Sequence, residues 1–128
     1  MWEAYGWKYT DLLWPGTAFR GGIAGIQEGP CGAVSAMVLV TGLCHRCSSS
    51  NKEKIKQERQ AVCDETSDLV KSFKEKWGAI DCISLVGFDF NDKEAAEKAK
   101  NSGTSGQNCL KQVQYAIEKL YELESKRS

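Results

Sequence analysis

Gly29-Pro30-Cys31-Gly32-Ala33-Val34-Ser35-Ala36-Met37-Val38-Leu39-Val40-Thr41-Gly42 holds most of the chain's longest apolar run. Pro30 stands where the first residue of a helix is favoured, and the apolar residues from Ala33 to Val40 follow it to a stop near Gly42. A helix that is hydrophobic on nearly every side is a buried one. The stretch therefore predicts a central helix around which the rest of an all-α, single-domain bundle of about five helices is wrapped. It falls well short of the ~20 residues that span a bilayer, and Ser35, Thr41 and Gly42 interrupt it. It reads as core.

Upstream, Trp2, Tyr5, Tyr9, Leu12 and Leu13 recur at helical spacing and predict an amphipathic helix over residues 2–14, ending at Pro15. Residues 16–29 lack periodicity and read as a loop, with Arg20-Gly21-Gly22-Ile23-Ala24-Gly25 packed tightly against the Cys31 helix; the alternative is an anion site made by its backbone N–H groups and Arg20. No strand precedes those glycines, so they are not a dinucleotide fingerprint. Downstream, Ser48-Ser49-Ser50-Asn51 supplies a loop and the N-cap of a long charged helix whose apolar face carries Ile55, Val62, Leu69, Phe73 and Trp77 and which stops at Gly78. Cys63 reads as a small core residue of that helix. A short helix from Asp81 contains Cys82 and ends at Gly87, and Asn91 or Asp92 caps a polar helix over 93–100. Residues 101–107 read as a turn. A last helix over about 108–124 presents Leu110, Val113, Ile117, Leu120 and Tyr121.

The chain has 128 residues, with 17 basic and 17 acidic side chains that cancel. One domain of this size buries roughly two thirds of its unfolded surface. A balanced charge supplies no field to draw the chain onto nucleic acid or an anionic membrane, so neither is an expected partner. Glu3, Lys8 and Asp11 break up any secretory signal, which makes the expected location cytoplasmic. Six cysteines in that setting suggest metal binding, working thiols or small core residues more than a disulfide framework.

Phe19-Arg20-Gly21-Gly22-Ile23-Ala24-Gly25, Cys31-Gly32-Ala33, Gly42-Leu43, Trp77-Gly78, Cys82, Leu85-Val86-Gly87 and Cys109 together resemble the C_GCAxxG_C_C family. The likeness covers nearly the whole chain. It implies redox activity resting on cysteines, with Cys31, Cys82 and Cys109 as the working set. Two positions depart from the pattern. Ala36 stands where the motif ends in glycine, and the fourth family cysteine, expected upstream of Cys31, has no counterpart. Loss of part of the N-terminal helix and divergence are the two explanations.

With Pro30 as first helical residue, Cys31 falls in the first turn, where unpaired N–H groups and the helix dipole favour a thiolate. Cys82 and Cys109 fall in first turns as well, so three helix N-termini are expected to converge. Two of these sulfurs suffice for a reversible dithiol/disulfide couple, in which Cys82 or Cys109 resolves Cys31. The alternative is an iron–sulfur or zinc site built on Cys31, Cys82 and Cys109 plus a fourth ligand from Cys44, His45, Cys47 or a partner chain. A purely structural or partner-binding helical domain is the third reading. Cys44-His45-Arg46-Cys47 is a secondary candidate for redox or metal chemistry, and the haem-attachment motif is excluded because Ser48 follows it. The expected partners are a redox protein or a small thiol or disulfide. Trp2, Trp7 and Trp14 either cover the site or form a homodimer surface.

Overall fold

The computed structural model describes residues 6–8 and 10–127. A 3-10 helix over Thr10–Phe19 leads into five α-helices: α1 (Gly32–Cys44), α2 (Lys52–Trp77), α3 (Cys82–Val86), α4 (Lys93–Ser102) and α5 (Thr104–Arg127). Among the described residues there is no strand, only one isolated antiparallel bridge between Pro30 and Asp81. The all-α expectation is met. No helix among these residues is long and apolar enough to cross a membrane.

α1 is the axis of the bundle, packed by α2 and α5, with the 3-10 helix on a further side. Its Ala33, Val34, Met37 and Val40 meet Leu69 and Phe73 of α2 and Ala116 and Leu120 of α5 in one core. Burying side chains of this size stabilises by roughly 1.5–3 kcal/mol each. Thr41 is also fully buried, and its hydroxyl donates to the Met37 carbonyl at 2.8 Å within the helix. Tyr115 meets Phe73 and Trp77 edge-on at centroid separations of 6.0 and 6.4 Å, fastening the end of α2 to α5.

Side-chain caps and left-handed glycines set most of the helix limits. Asn51 accepts from the Glu53 and Lys54 amides, Asp81 from Ser84, and Asp92 from Glu94 and Ala95. Gly78, Gly87 and Gly103 close α2, α3 and α4 at φ of 86°, 85° and 68°, a conformation that favours glycine.

Two helix limits and the burial of one cysteine differ from the sequence reading. Trp2, Tyr5 and Tyr9 of the expected first helix lie outside the described residues. The part that is described runs through Pro15 as a 3-10 helix, whose φ matches the angle fixed by the proline ring. α5 begins at Thr104, not near Asn108, because tertiary contact with α4 and α3 outweighs the ~1 kcal/mol that Gly106 costs inside a helix. Its buried line is Gln112, Ala116 and Leu120, while Leu110 and Val113 are exposed. Cys63 is exposed as well, on the outer side of α2, so it is not a core residue.

Candidate functional site

Residues 29–31 and 80–82 run antiparallel for a single pair. Pro30 faces Asp81, the Cys31 amide donates to the Ile80 carbonyl at 2.6 Å, and the Cys82 amide donates to Gly29 at 3.1 Å. Pro30 occupies the position of this ladder that needs no N–H, which is where a proline fits. The helix consequently starts at Gly32, and Cys31 is its N-cap. The expectation that Pro30 opens the helix and Cys31 lies in its first turn is corrected by two residues.

The pairing also fixes how the two cysteines relate. Cys31 lies opposite Ile80 and Cys82 opposite Gly29, so both project from the same face of the ladder on a diagonal. Diagonal neighbours are ~7–8 Å apart at Cα, and a disulfide spans up to ~7 Å. Closure would need about an ångström of approach.

That face opens on a cleft of about 390 Å³ lined by Cys31, Cys82 and Cys109, together with Arg20, Gln112 and an apolar wall that includes Leu85, Phe90 and Val113. The three expected cysteines are thus brought together. Their settings differ. Cys82 is the first residue of α3 and buried, Cys31 is half-buried, and Cys109 is exposed. Cys109 lies in the second turn of α5, not the first, so a convergence of three helix N-termini does not occur. Burial, and then the negative charge that Cys31 would carry beside it, push the Cys82 thiol up from its ordinary range. The same causes in the same order raise Cys109. Both remain thiols at neutral pH.

Gln112 was not legible as a site residue. It stands one turn along α5 from Cys109, is 3% exposed, and its Oε1 lies 3.9 Å from the Cys31 Sγ as acceptor. A polar residue on the buried line of a helix, facing a thiol, is the signal that locates it.

The opposite wall is built by backbone. Gly21, Gly22, Ile23, Ala24 and Gly25 all have positive φ, between 54° and 86°, a left-handed turn that costs ~1–2 kcal/mol at each non-glycine residue. It is held by bonds such as Ala24 N–H to Ala18 O at 2.6 Å and Gln27 N–H to Gly21 O at 3.0 Å. Gln27 is 1% exposed. Its amide donates to the Phe88 carbonyl at 2.9 Å and accepts from the Phe90 N–H at 2.6 Å, joining the glycine turn to the segment after α3. The expected tight loop against the Cys31 helix is present, and Arg20, Gly21 and Gly25 line the cleft.

Cys44, His45 and Cys47 do not line it. Cys44 ends α1 half-buried and Cys47 is exposed. The His45 ring pairs through Nδ1 with Glu58 at 2.7 Å and through Nε2 with Glu65 at 2.8 Å, and Arg127, whose guanidinium also lies 2.9 Å from Nε2, donates to Glu65. Burial alone would lower the His45 pKa, but the bonds to the two carboxylates carry it above its usual value. Burial would raise Glu65, yet its bonds to Arg127 and His45 hold it below the usual carboxylate range. This is an ion-pair clamp between the end of α1, α2 and the end of α5. Among the described residues no three His, Cys, Asp or Glu side chains converge to hold a metal ion. The donor set does not fit a metal centre on Cys31, Cys82 and Cys109, with or without Cys44, His45 or Cys47.

No curated protein and no solved structure matches the chain. One family profile does, over residues 1–123, described as "Putative redox-active protein (C_GCAxxG_C_C)". With nearly the full length matched, the chain belongs to the C_GCAxxG_C_C family.

Proposed function

We propose that the chain works by reversible dithiol/disulfide exchange, with Cys31 as the thiol that meets substrate and Cys82 as its resolving partner. The observation that carries this reading is the ladder, which sets the two cysteines on one face beside a cleft open to small molecules. Cys31 is the more accessible of the two, and buried Cys82, held as a thiol, suits the second step. In the first step the Cys31 sulfur attacks one sulfur of a substrate disulfide. The substrate S–S bond breaks, one thiolate leaves and takes a proton, and a mixed disulfide remains. Cys82 gives up its proton and attacks the Cys31 sulfur, forming the Cys31–Cys82 bond and expelling the second substrate thiol. Two electrons and two protons pass from the protein to the substrate. The exposed Cys109 stands at the rim as a third thiol. A cytoplasmic setting, which keeps such thiols reduced at rest, belongs to the proposal.

The test is reduced full-length protein exposed briefly to a small organic disulfide, quenched by alkylation, then thiol-counted and peptide-mapped. Two thiols should disappear and one Cys31–Cys82 cross-linked peptide should form. In Cys82→Ser the mixed disulfide at Cys31 should accumulate instead. Six free thiols after exposure, or a cross-link joining any other pair, would overturn the assignment.

A further inference from the structure

We propose that the three-cysteine cleft selects small anionic disulfides, with the Arg20 guanidinium as the anchor for a substrate carboxylate. This rests on the dithiol reading above and adds the substrate class to it. Arg20 is the only ionisable side chain besides the cysteines among the residues lining the cleft. It is exposed, and no carboxylate among the described residues is paired with it. Asp81 and Asp89, which adjoin the lining residues Cys82 and Phe90 in sequence, lie outside the lining: Asp81 caps α3, accepting from the Ser84 amide at 3.0 Å, and Asp89 accepts from the Asn91 amide at 2.8 Å. The wall of Ala33, Leu85, Val86, Phe90 and Val113 is apolar. The one cation of the lining, beside low-dielectric walls, focuses its field into the cleft, raising the encounter rate of anions and lowering that of cations.

Size narrows the class further. A volume of about 390 Å³ lies at the small end of the ~300–1,000 Å³ range of ligand pockets. It admits an organic disulfide with a short chain on each sulfur. A carboxylate a few bonds from the reacting sulfur would reach Arg20 while the sulfur faces Cys31. The electrons move as in the exchange above, from the Cys31 and Cys82 thiols to the substrate S–S bond, with both protons ending on the released thiols.

The test compares dithiodiglycolate, bis(2-hydroxyethyl) disulfide and cystamine, which are anionic, neutral and cationic at similar length. Each reacts with reduced full-length protein, and the rate of appearance of the Cys31–Cys82 peptide is divided by that disulfide's rate with free dithiothreitol. The anion should lead and the cation trail, with about a tenfold spread at low salt. The spread should shrink at ~0.5 M salt, and Arg20→Gln should narrow it to within about twofold. Equal rates, a reversed order, or a spread that survives Arg20→Gln would overturn the selection while leaving the exchange chemistry standing. If none of the three forms the Cys31–Cys82 peptide, the dithiol reading itself falls and the selection with it.

Discussion

A methyl group at Gly22 has no room. Its carbon would lie 2.7 Å from the Gly29 carbonyl oxygen, 2.8 Å from the Cys82 Cβ and 2.9 Å from the Gln27 Cα, at a φ of +59°. Two of those neighbours are backbone, and the third carries a cleft sulfur. Gly22→Ala is therefore expected to destabilise the fold by about 2–4 kcal/mol. Gly42, within α1, has nothing within 4 Å of the same position. Gly42→Ala should stabilise by about 0.5–1 kcal/mol through the gain in helix propensity. Urea denaturation of both variants checks the pair, and similar midpoints for the two would refute the packing account. Gln27 and Gln112 make the complementary point. Each is a buried amide beside the cleft, and each was invisible to a reading that searched for cysteines and apolar stripes.

The His45 clamp acts between elements, tying the end of α1 to α2 and to the last turn of α5. The folded ring holds its proton more tightly than the unfolded chain does. Its ion pairs therefore contribute in full below its ordinary value of 6.5 and are lost as pH rises through the raised folded value. At the acid end Glu65 behaves oppositely, its contribution fading as pH falls into the carboxylate range. Cys82 and Cys109 disfavour the folded state only above the ordinary thiol value of 9.0. Between pH ~6 and ~8 the decline in denaturation midpoint should thus belong to His45. His45→Gln should flatten it, and an equal decline in that variant would show that other groups are responsible. Elements whose limits rest on local chemistry were legible in the sequence: Asn51 and Gly78 for α2, and Asp81 and Gly87 for α3. The start of α5 was not, since Gly103, Gly106 and Asn108 all favour a break locally and only packing carries the helix through. The cleft was half legible. The family pattern singled out its three sulfurs, but a ladder one pair long has no periodicity to read.

Across the whole molecule, the chain leaves the ladder at Cys31, runs through α1 and α2, and returns to it at Ile80. Two of the core helices, α1 and α2, are thus an excursion that begins and ends beside the two cysteines, with Met37, Leu69 and Phe73 packed in the core they share. This has a consequence in time. The Cys31 and Cys82 amides lie outside regular strands, where hydrogens are ordinarily traded with solvent within minutes by local fraying. Here their exchange should await opening of the entire α1–α2 hairpin, at the same slow rate as the Phe73 amide. Deuterium uptake resolved by residue would show this, and fast uptake at Cys31 or Cys82 against slow uptake at Phe73 would uncouple them. If the rates agree, the backbone segments that carry the two cysteines stay paired for as long as the core stays packed, and the approach that closes the bond comes from the side chains and small local shifts.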